Sequence, residues 1–232
     1  MTLFPTTRWG EILAARIDPA RRRELLGELS MDYRKPLLVL ARACGLRAED
    51  AEDAVQEFLT SLLERDATLR FDPDKGRLRS YLRSSMRNFL ADRNAKQTAA
   101  KRGGRGQATV ALDDISDVVA DSQHATPEEL YDRAFAIQVV AHTLAQLEAE
   151  FTSGRWSGPF AAVRAAFAMD QAAPPIAELA QTHGMTLPQM TSFLHRARER
   201  FRKLLHHRVR ELVADVADTD TELRALMVVL GA

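Results

Sequence analysis

Residues 76–96 read GRLRSYLRSSMRNFLADRNAK, and their apolar side chains recur with the period of an α-helix. The repeating apolar positions, which we expect to face a core, are Leu78, Leu82, Met86, Phe89 and Leu90. Arg79, Arg83 and Arg87 form a second row at i, i+4 and i+8. Like charges at this spacing destabilise an isolated helix by roughly 0.2–0.5 kcal/mol per pair. The row is easiest to explain if a polyanion such as a phosphate backbone neutralises it.

Positive charge continues on both sides of this row. Residues 77–106 contain nine Lys or Arg and one acid, a local net charge of +8. Tyr81 and Asn88 lie among the arginines. An aromatic ring can stack on an unpaired base, and an amide can hydrogen-bond a base edge. The segment therefore favours nucleic-acid binding, and the alternative is a basic but inert helix face with Tyr81 in the core.

The rest of the chain is also patterned as helices, without alternating strand segments or Asn-Gly turns. We predict a short helix around Trp9, a helix over residues 25–41 that Gly45 ends, and a helix over residues 48–65. Residues 126–129 read TPEE, a capping box with proline at the first helical position. These signals predict an all-α fold.

An acidic helix face precedes the basic segment. Within residues 48–65 the exposed polar positions of one face are Asp50, Asp53, Gln56 and Glu57. No histidine or metal ligand nearby organises these acids as a catalytic pair, so they do not indicate an enzyme. They fit a docking surface for a basic partner, and the alternative is a solvated helix face.

A helix-turn-helix pattern lies toward the C-terminus, in residues 176–212. Ala180 and Gly184 are four residues apart, as close helix contact and a glycine turn require. Residues 192–210 contain seven Lys or Arg and one acid. A recognition helix places its first residues at base edges in the major groove. The candidate DNA contacts are Gln189, Thr191, Ser192, His195 and Arg196, with Arg198 better suited to phosphate. Helical hairpins of this spacing also occur without DNA binding.

These signals divide the chain into four parts. We predict helical domains over residues 1–102 and 127–213, a flexible linker over 103–126 and an amphipathic tail over 214–232. Residues 107–132 contain seven acids and no Lys or Arg, so this stretch does not fold alone but can dock on a basic surface. The tail is expected to pack as a terminal helix or to bind a regulator.

Composition narrows the possible classes. The 232 residues carry 32 Lys or Arg and 32 Asp or Glu, and the resulting net charge of zero excludes a uniformly basic protein surface. A single cysteine, Cys44, cannot form an internal disulfide, which fits the cytoplasm. We expect no secretory signal, no membrane span, no metal site and no cofactor, because the required apolar runs and ligand spacings are absent.

Taken together, these motifs resemble the extracytoplasmic-function (ECF) sigma factors of the bacterial sigma-70 family. The segment DAEDAVQEFLTSLLE resembles the region 2 helix that docks on core RNA polymerase. GRLRSYLRSSMRNFLADRNAK resembles the region 2 segment that melts and reads the minus-ten element. IAELAQTHGMTLPQMTSFLHRARERFRKLL resembles region 4, which binds the minus-thirty-five element. The resemblance covers roughly residues 20–102 and 127–212.

The resemblance assigns roles to the candidate residues. It implies that the acidic face binds core polymerase and that promoter DNA is the second partner, with an anti-sigma factor as a further partner type. Implied minus-ten contacts are Arg79, Tyr81, Arg83, Arg87, Asn88 and Arg93. The family usually carries basic residues at the positions of Thr191 and Phe193, so minus-thirty-five binding is expected to be weaker here, and Phe193 to be buried.

The predicted function is promoter-specific transcription initiation, without a catalytic site. One alternative is a helix-turn-helix regulator that binds duplex DNA as a dimer, which would leave the acidic and basic helices unexplained. The other alternative is a sigma-fold adaptor that has lost promoter use. The absence of basic residues at Thr191 and Phe193 leaves this alternative open. We also expect the acidic segments to mask the basic DNA-binding faces until polymerase separates them.

Overall fold

The described part of the chain is helical. The computed structural model describes residues 19–64, 77–100, 125–154, 158–167, 173–213 and 216–231. Its helices are α1 (Pro19–Ala43), α2 (Ala48–Glu64), α3 (Leu78–Ala100), α4 (Pro127–Thr152), α5 (Phe160–Ala166), α6 (Ile176–Thr182), α7 (Leu187–Leu212), a 3-10 turn (Val216–Asp218) and α8 (Thr219–Leu230). No strand occurs in these ranges, so the all-α prediction is confirmed. The predicted helix around Trp9 and the linker up to residue 124 lie outside the described residues.

These helices form two compact units. The described residues up to Val139, together with those from Val209 onward, make the first unit, and Val140–Arg208 make the second. Helix α4 therefore contributes its first half to one unit and its second half to the other. This division differs from the predicted domain boundaries, because the start of α4 and the C-terminal helix pack within the first unit.

The first unit is built on α1, α2 and α3. Their inward-facing residues recur at helical spacing, as the sequence predicts, and the fully buried ones include Tyr33, Leu37, Leu40, Ala51, Val55, Leu82 and Met86. Phe58 of α2 meets Phe89 of α3 with ring centroids 5.6 Å apart. Full burial of a leucine, valine, methionine or phenylalanine side chain stabilises the fold by about 1.5–3 kcal/mol.

The first half of α4 completes this core. The capping box forms as predicted: the Thr126 backbone N–H donates to the Glu129 carboxylate at 2.8 Å, and the Glu129 N–H donates to the Thr126 hydroxyl at 3.3 Å. Phe135 stacks on Tyr33 with ring centroids 5.2 Å apart. Tyr131 and Phe135 are almost fully buried, which explains why this stretch belongs to the first unit.

The second unit contains the helical hairpin α6–α7. Its core is formed by Leu147, Ala162, Val163, Leu179, Ala180, Met190, Phe193, Leu194, Ala197 and Leu204. Phe193 is buried, as predicted, and meets Phe151 of α4 edge-on at 5.9 Å between ring centroids. Arg200 of α7 forms two hydrogen bonds with Glu150 of α4, one of them at 2.7 Å, and this pairing raises the pKa of Arg200.

None of the described helices has the length and hydropathy that crossing a bilayer requires.

We predict that Gly158→Ala destabilises the second unit more than Gly154→Ala. Both glycines have positive φ, 141° and 76°, so a side chain is strained at either position. At Gly158 the added Cβ would also overlap the ring of Phe193, whereas at Gly154 it would meet open space. We expect losses in the free energy of unfolding of about 3 and about 1 kcal/mol, measured by urea denaturation. Equal losses of unfolding free energy in the two variants would show that the overlap between the added Cβ at residue 158 and the Phe193 ring does not affect stability.

Candidate nucleic-acid interface

Helix α2 turns its acidic side to solvent. We call Asp50, Asp53, Gln56 and Glu57 the acidic face, and all four side chains are exposed. The opposite side of α2 is buried through Ala51, Val55 and Phe58. Glu57 forms an ion pair with Arg93 of α3 at 3.4 Å. The acidic face is thus held at the surface by the burial of the other side of the same helix.

The three arginines of α3, which we call the arginine row, are Arg79, Arg83 and Arg87. Each meets a carboxylate within the first unit. Arg79 and Arg83 bind the two oxygens of Asp132, at 2.6 and 2.5 Å. Arg87 pairs with Glu128 at the start of α4. The mutual repulsion of the row is therefore relieved by carboxylates of the same chain.

The C-terminal helix supplies a further carboxylate at the Arg79 end of the row. Arg79 Nε donates to Glu222 Oε1 at 2.6 Å, and both side chains are less than a tenth exposed. Arg77 approaches the other oxygen of Glu222 at 2.8 Å. Burial by itself would lower the pKa of Arg79, but the charges of Glu222 and Asp132 outweigh this effect and leave the pKa raised. The guanidinium thus stays charged inside the first unit.

Two aromatic residues of α4 fix the position of Arg79. The Tyr131 hydroxyl donates to the Arg79 carbonyl oxygen at 3.1 Å. The guanidinium lies 5.9 Å from the centroid of the Phe135 ring, within cation–π range. Burial raises the pKa of Tyr131 well above its ordinary value, so this phenol remains a hydrogen-bond donor across the neutral range.

The other predicted minus-ten residues differ in exposure. Asn88 is exposed and Tyr81 is partly buried. About half of the Arg87 side chain is exposed to solvent, whereas the exposed fraction of the Arg79 side chain is 9%. Asn88 and Arg87 are therefore open to solvent, whereas Arg79 is enclosed by its carboxylate partners.

A cleft of ≈ 620 Å³ brings both predicted surfaces together. Among the residues that line it are Cys44, Arg47, Asp50, Arg87, Arg93 and Asn94. Asp50 belongs to the acidic face, whereas Arg87 and Arg93 were predicted to contact DNA. Arg47 and Asn94 were not predicted as site residues, because neither belongs to the periodic rows that the sequence displays. The two surfaces therefore meet at one edge rather than lying on separate sides.

The turn between α6 and α7 forms as predicted around Gly184, whose φ is 64°. The Met185 backbone N–H donates to the Ala180 carbonyl oxygen at 2.9 Å, which closes the turn. The candidate DNA contacts on the first part of α7 are all exposed: Gln189, Thr191, Ser192, His195, Arg196 and Arg198. Phe193 is buried and so is withdrawn from any DNA surface.

Gln189 has a local partner that the sequence analysis did not identify. Its side-chain oxygen accepts hydrogen bonds from the Thr186 backbone N–H at 2.9 Å and from the Thr186 hydroxyl at 3.0 Å. Thr186 and Gln189 thus form a capping box at the start of α7. The Thr-x-x-Gln spacing could have revealed it. The side-chain oxygen of Gln189 is therefore engaged, and its amide nitrogen is the group left to reach DNA.

The described residues hold no group of three or more His, Cys, Asp or Glu side chains arranged to bind a metal ion.

Residues 29–100 match the family model of sigma-70 region 2. The match begins within α1 and covers α2 and α3, so it contains the whole acidic face and the whole arginine row. The chain therefore contains a sigma-70 region 2 domain, and this family consists of non-enzymatic transcription factors. Neither a curated protein nor a solved structure matches the chain.

Gln189→Ala should lower the free energy of unfolding by about 1 kcal/mol, because the start of α7 loses its capping box. Gln189→Glu should keep the stability, since a carboxylate accepts the same two hydrogen bonds. Urea denaturation measures both. Gln181→Ala, on the exposed side of α6, is the control and should change little. A loss for Gln189→Ala no larger than that of the control would contradict the role of the cap.

Tyr131→Phe should change the alkaline stability of the protein. The pKa of Tyr131 is raised in the folded state, so above the unfolded value of about 10 the unfolded chain releases this proton and the folded chain retains it. The free energy of unfolding of the wild type therefore falls with rising pH in this range. The variant has no phenol at this position, so its free energy of unfolding lacks this pH-dependent decrease. The wild type should exceed the variant by about 1 kcal/mol at neutral pH, and the difference should shrink by about pH 11. Parallel pH curves from urea denaturation would refute this assignment.

Proposed function

We propose that this protein is a sigma factor of the extracytoplasmic-function type, which binds core RNA polymerase and directs initiation at specific promoters. One observation carries the proposal: residues 29–100 match sigma-70 region 2, and the matched segment contains both the exposed acidic face and the arginine row. A sigma factor acts on chromosomal DNA, so the proposal places the protein in the cytoplasm.

Binding to polymerase uses the acidic face of α2. Asp50, Asp53 and Glu57 present carboxylates on one exposed side, and Gln56 adds an amide between them. A basic surface on polymerase would gain charge-assisted hydrogen bonds and would be attracted from a distance. The burial of the opposite side of α2 supports this role, because it prevents the helix from rotating the carboxylates away.

Promoter opening uses α3. Asn88 is exposed, and its amide is suited to hydrogen-bond a base that has left the stack. Extruding a base costs a few kcal/mol, and stacking on an aromatic ring such as Tyr81 returns about 1–3 kcal/mol per base. Arg83, Arg87 and Arg93 supply charge for the phosphates of the single strand.

The second unit anchors upstream duplex DNA through α7. Gln189, Thr191, Ser192, His195 and Arg196 are exposed, and in this proposal they contact base edges while Arg198 contacts a phosphate. Phe193 is buried and contributes no contact, so this anchor is weak by itself. Joining two weak modules in one chain raises their combined affinity through effective concentration.

Reconstitution with core polymerase tests the proposal. Run-off transcription on genomic fragments should give promoter-specific transcripts that core polymerase alone does not give. Stable core binding without transcripts would replace the proposal with a sigma-fold adaptor, an alternative that the buried Phe193 favours. Specific duplex binding without core binding would replace it with a helix-turn-helix regulator. An anti-sigma partner would appear as a protein that blocks core association.

Asp53→Arg should weaken association with core polymerase by at least about tenfold, because a cation then faces a basic surface from the centre of the acidic face. Association can be measured by competition for labelled core enzyme. Duplex DNA binding by the free protein should be unchanged. The matched control is Glu178→Arg, an equal charge change at an exposed site of α6. Equal core binding by wild type, Asp53→Arg and the control would disprove polymerase docking on this face.

A further inference from the structure

The arginine row is occupied by carboxylates that come from far along the chain. Glu128 and Asp132 lie on α4, 41 to 53 residues from their arginines, and Glu222 lies on α8, 143 residues from Arg79. We call Glu128, Asp132 and Glu222 the carboxylate mask. All of these contacts lie within the first unit.

The mask occupies the arginines as a nucleic-acid backbone would. Guanidinium groups bind carboxylate and phosphate oxygens with the same planar, charge-assisted geometry. Asp132 bridges Arg79 and Arg83 with one oxygen each, and Glu222 accepts from Arg79 at 2.6 Å. A phosphate cannot take these positions while the carboxylates hold them.

The mask is bound more firmly at one end than at the other. Arg87 and Glu128 are 55% and 29% exposed, so solvent weakens their pair to about 0–1 kcal/mol. Arg79 and Glu222 are 9% and 4% exposed. An incoming polyanion therefore meets the weakest pair first, at Arg87, and the buried pair at Arg79 last.

Helix α8 buries few apolar side chains completely. Its buried residues are Thr219, Glu222 and Leu226, those partly buried include Leu223, Val229 and Leu230, and Met227 and Val228 are exposed. The attachment of α8 therefore combines partly buried apolar side chains with the pairing of Glu222 with Arg79 and Arg77. A terminal helix held in this way opens at a lower free-energy cost than the core of the first unit.

We propose that the carboxylate mask is an internal competitor for single-stranded DNA, which must displace it from the arginine row before the first unit can bind the phosphate backbone. This proposal rests on the proposed function and names the regulation of the same site. Displacement separates the Glu128 and Asp132 carboxylates from the arginines and frees α8 from α3, whereas Tyr131 and Phe135 keep the start of α4 in the core. Binding of single-stranded DNA and release of α8 are therefore two sides of one equilibrium.

Binding of a fluorescent single-stranded oligonucleotide by the full-length protein tests the proposal. Glu222→Gln and the double variant Glu222→Gln/Asp132→Asn keep the side-chain shapes and remove the competing charges. Fluorescence anisotropy should show about tenfold tighter binding by the double variant. Its salt dependence should also be steeper, by up to about 1.4 in the slope of log affinity against log salt, because the variant frees Arg79 and Arg83 and each contributes about 0.7.

Asp218→Asn is the matched control. This exposed carboxylate lies immediately before α8 and makes no capping hydrogen bond, so its loss removes a charge next to the mask but none from it. Affinity should stay within about twofold of wild type. Equal tightening by Asp218→Asn and by the mask variants would reduce the effect to net charge and overturn the proposal.

Hydrogen exchange provides a second measurement on the wild-type protein. Backbone amides of α8 should exchange faster at saturating oligonucleotide, because displacement releases the helix. If α8 exchange is unchanged while the oligonucleotide is bound, the mask is not displaced and the proposal fails. This readout stands even if a mask variant loses helical content by circular dichroism.

The two proposals can fail separately. Tighter oligonucleotide binding by the mask variants, with no promoter transcripts from the wild type, would support displacement of the carboxylate mask and contradict the sigma-factor function. Promoter transcripts from the wild type, with no change in oligonucleotide binding or in α8 exchange, would support the sigma-factor function and contradict displacement of the carboxylate mask.

Discussion

The buried ion pair between Arg79 and Glu222 joins the C-terminal helix α8 to α3 and controls access to the arginine row. A guanidinium this far from water is tolerated because two carboxylates, an aromatic ring and the surrounding helices compensate its charge. The pair also joins the region 2 domain to a helix that begins more than a hundred residues later. Removing one partner of such a pair typically costs about 3–5 kcal/mol, since the other charge stays buried without compensation. The contact thus links local stability to access to the arginine row.

Much of the fold could be predicted from the sequence because helical periodicity is a local signal. The apolar positions of α2 and α3, the capping box at Thr126 and the turn at Gly184 each depend on residues within one or two helical turns. The partner of Arg79 could not be predicted in this way. Charge patterns show that a basic row needs an anion, but they do not say whether DNA, Asp132 or Glu222 supplies it. For the same reason the unit boundary within α4 was missed, since it depends on where Tyr131 and Phe135 are buried.

The candidate sites show the same distinction between local and long-range information. Exposure of Asp50, Asp53 and Glu57 follows from the burial of the opposite side of α2, so the sequence predicts it well. Gln189 was judged by its position at the start of a recognition helix, although its oxygen already serves the backbone of that helix. A polar residue at a helix start therefore has to be tested as a cap before it is assigned to a ligand.

Helix α4 belongs to both compact units without interruption, from Pro127 to Thr152, and α7 likewise reaches from the second unit into the first. Helical hydrogen bonds form cooperatively, so the residues on either side of each division stabilise one another locally. Loss of helical structure at Val139–Val140 or at Arg208–Val209 would therefore remove packed residues from each of the two units.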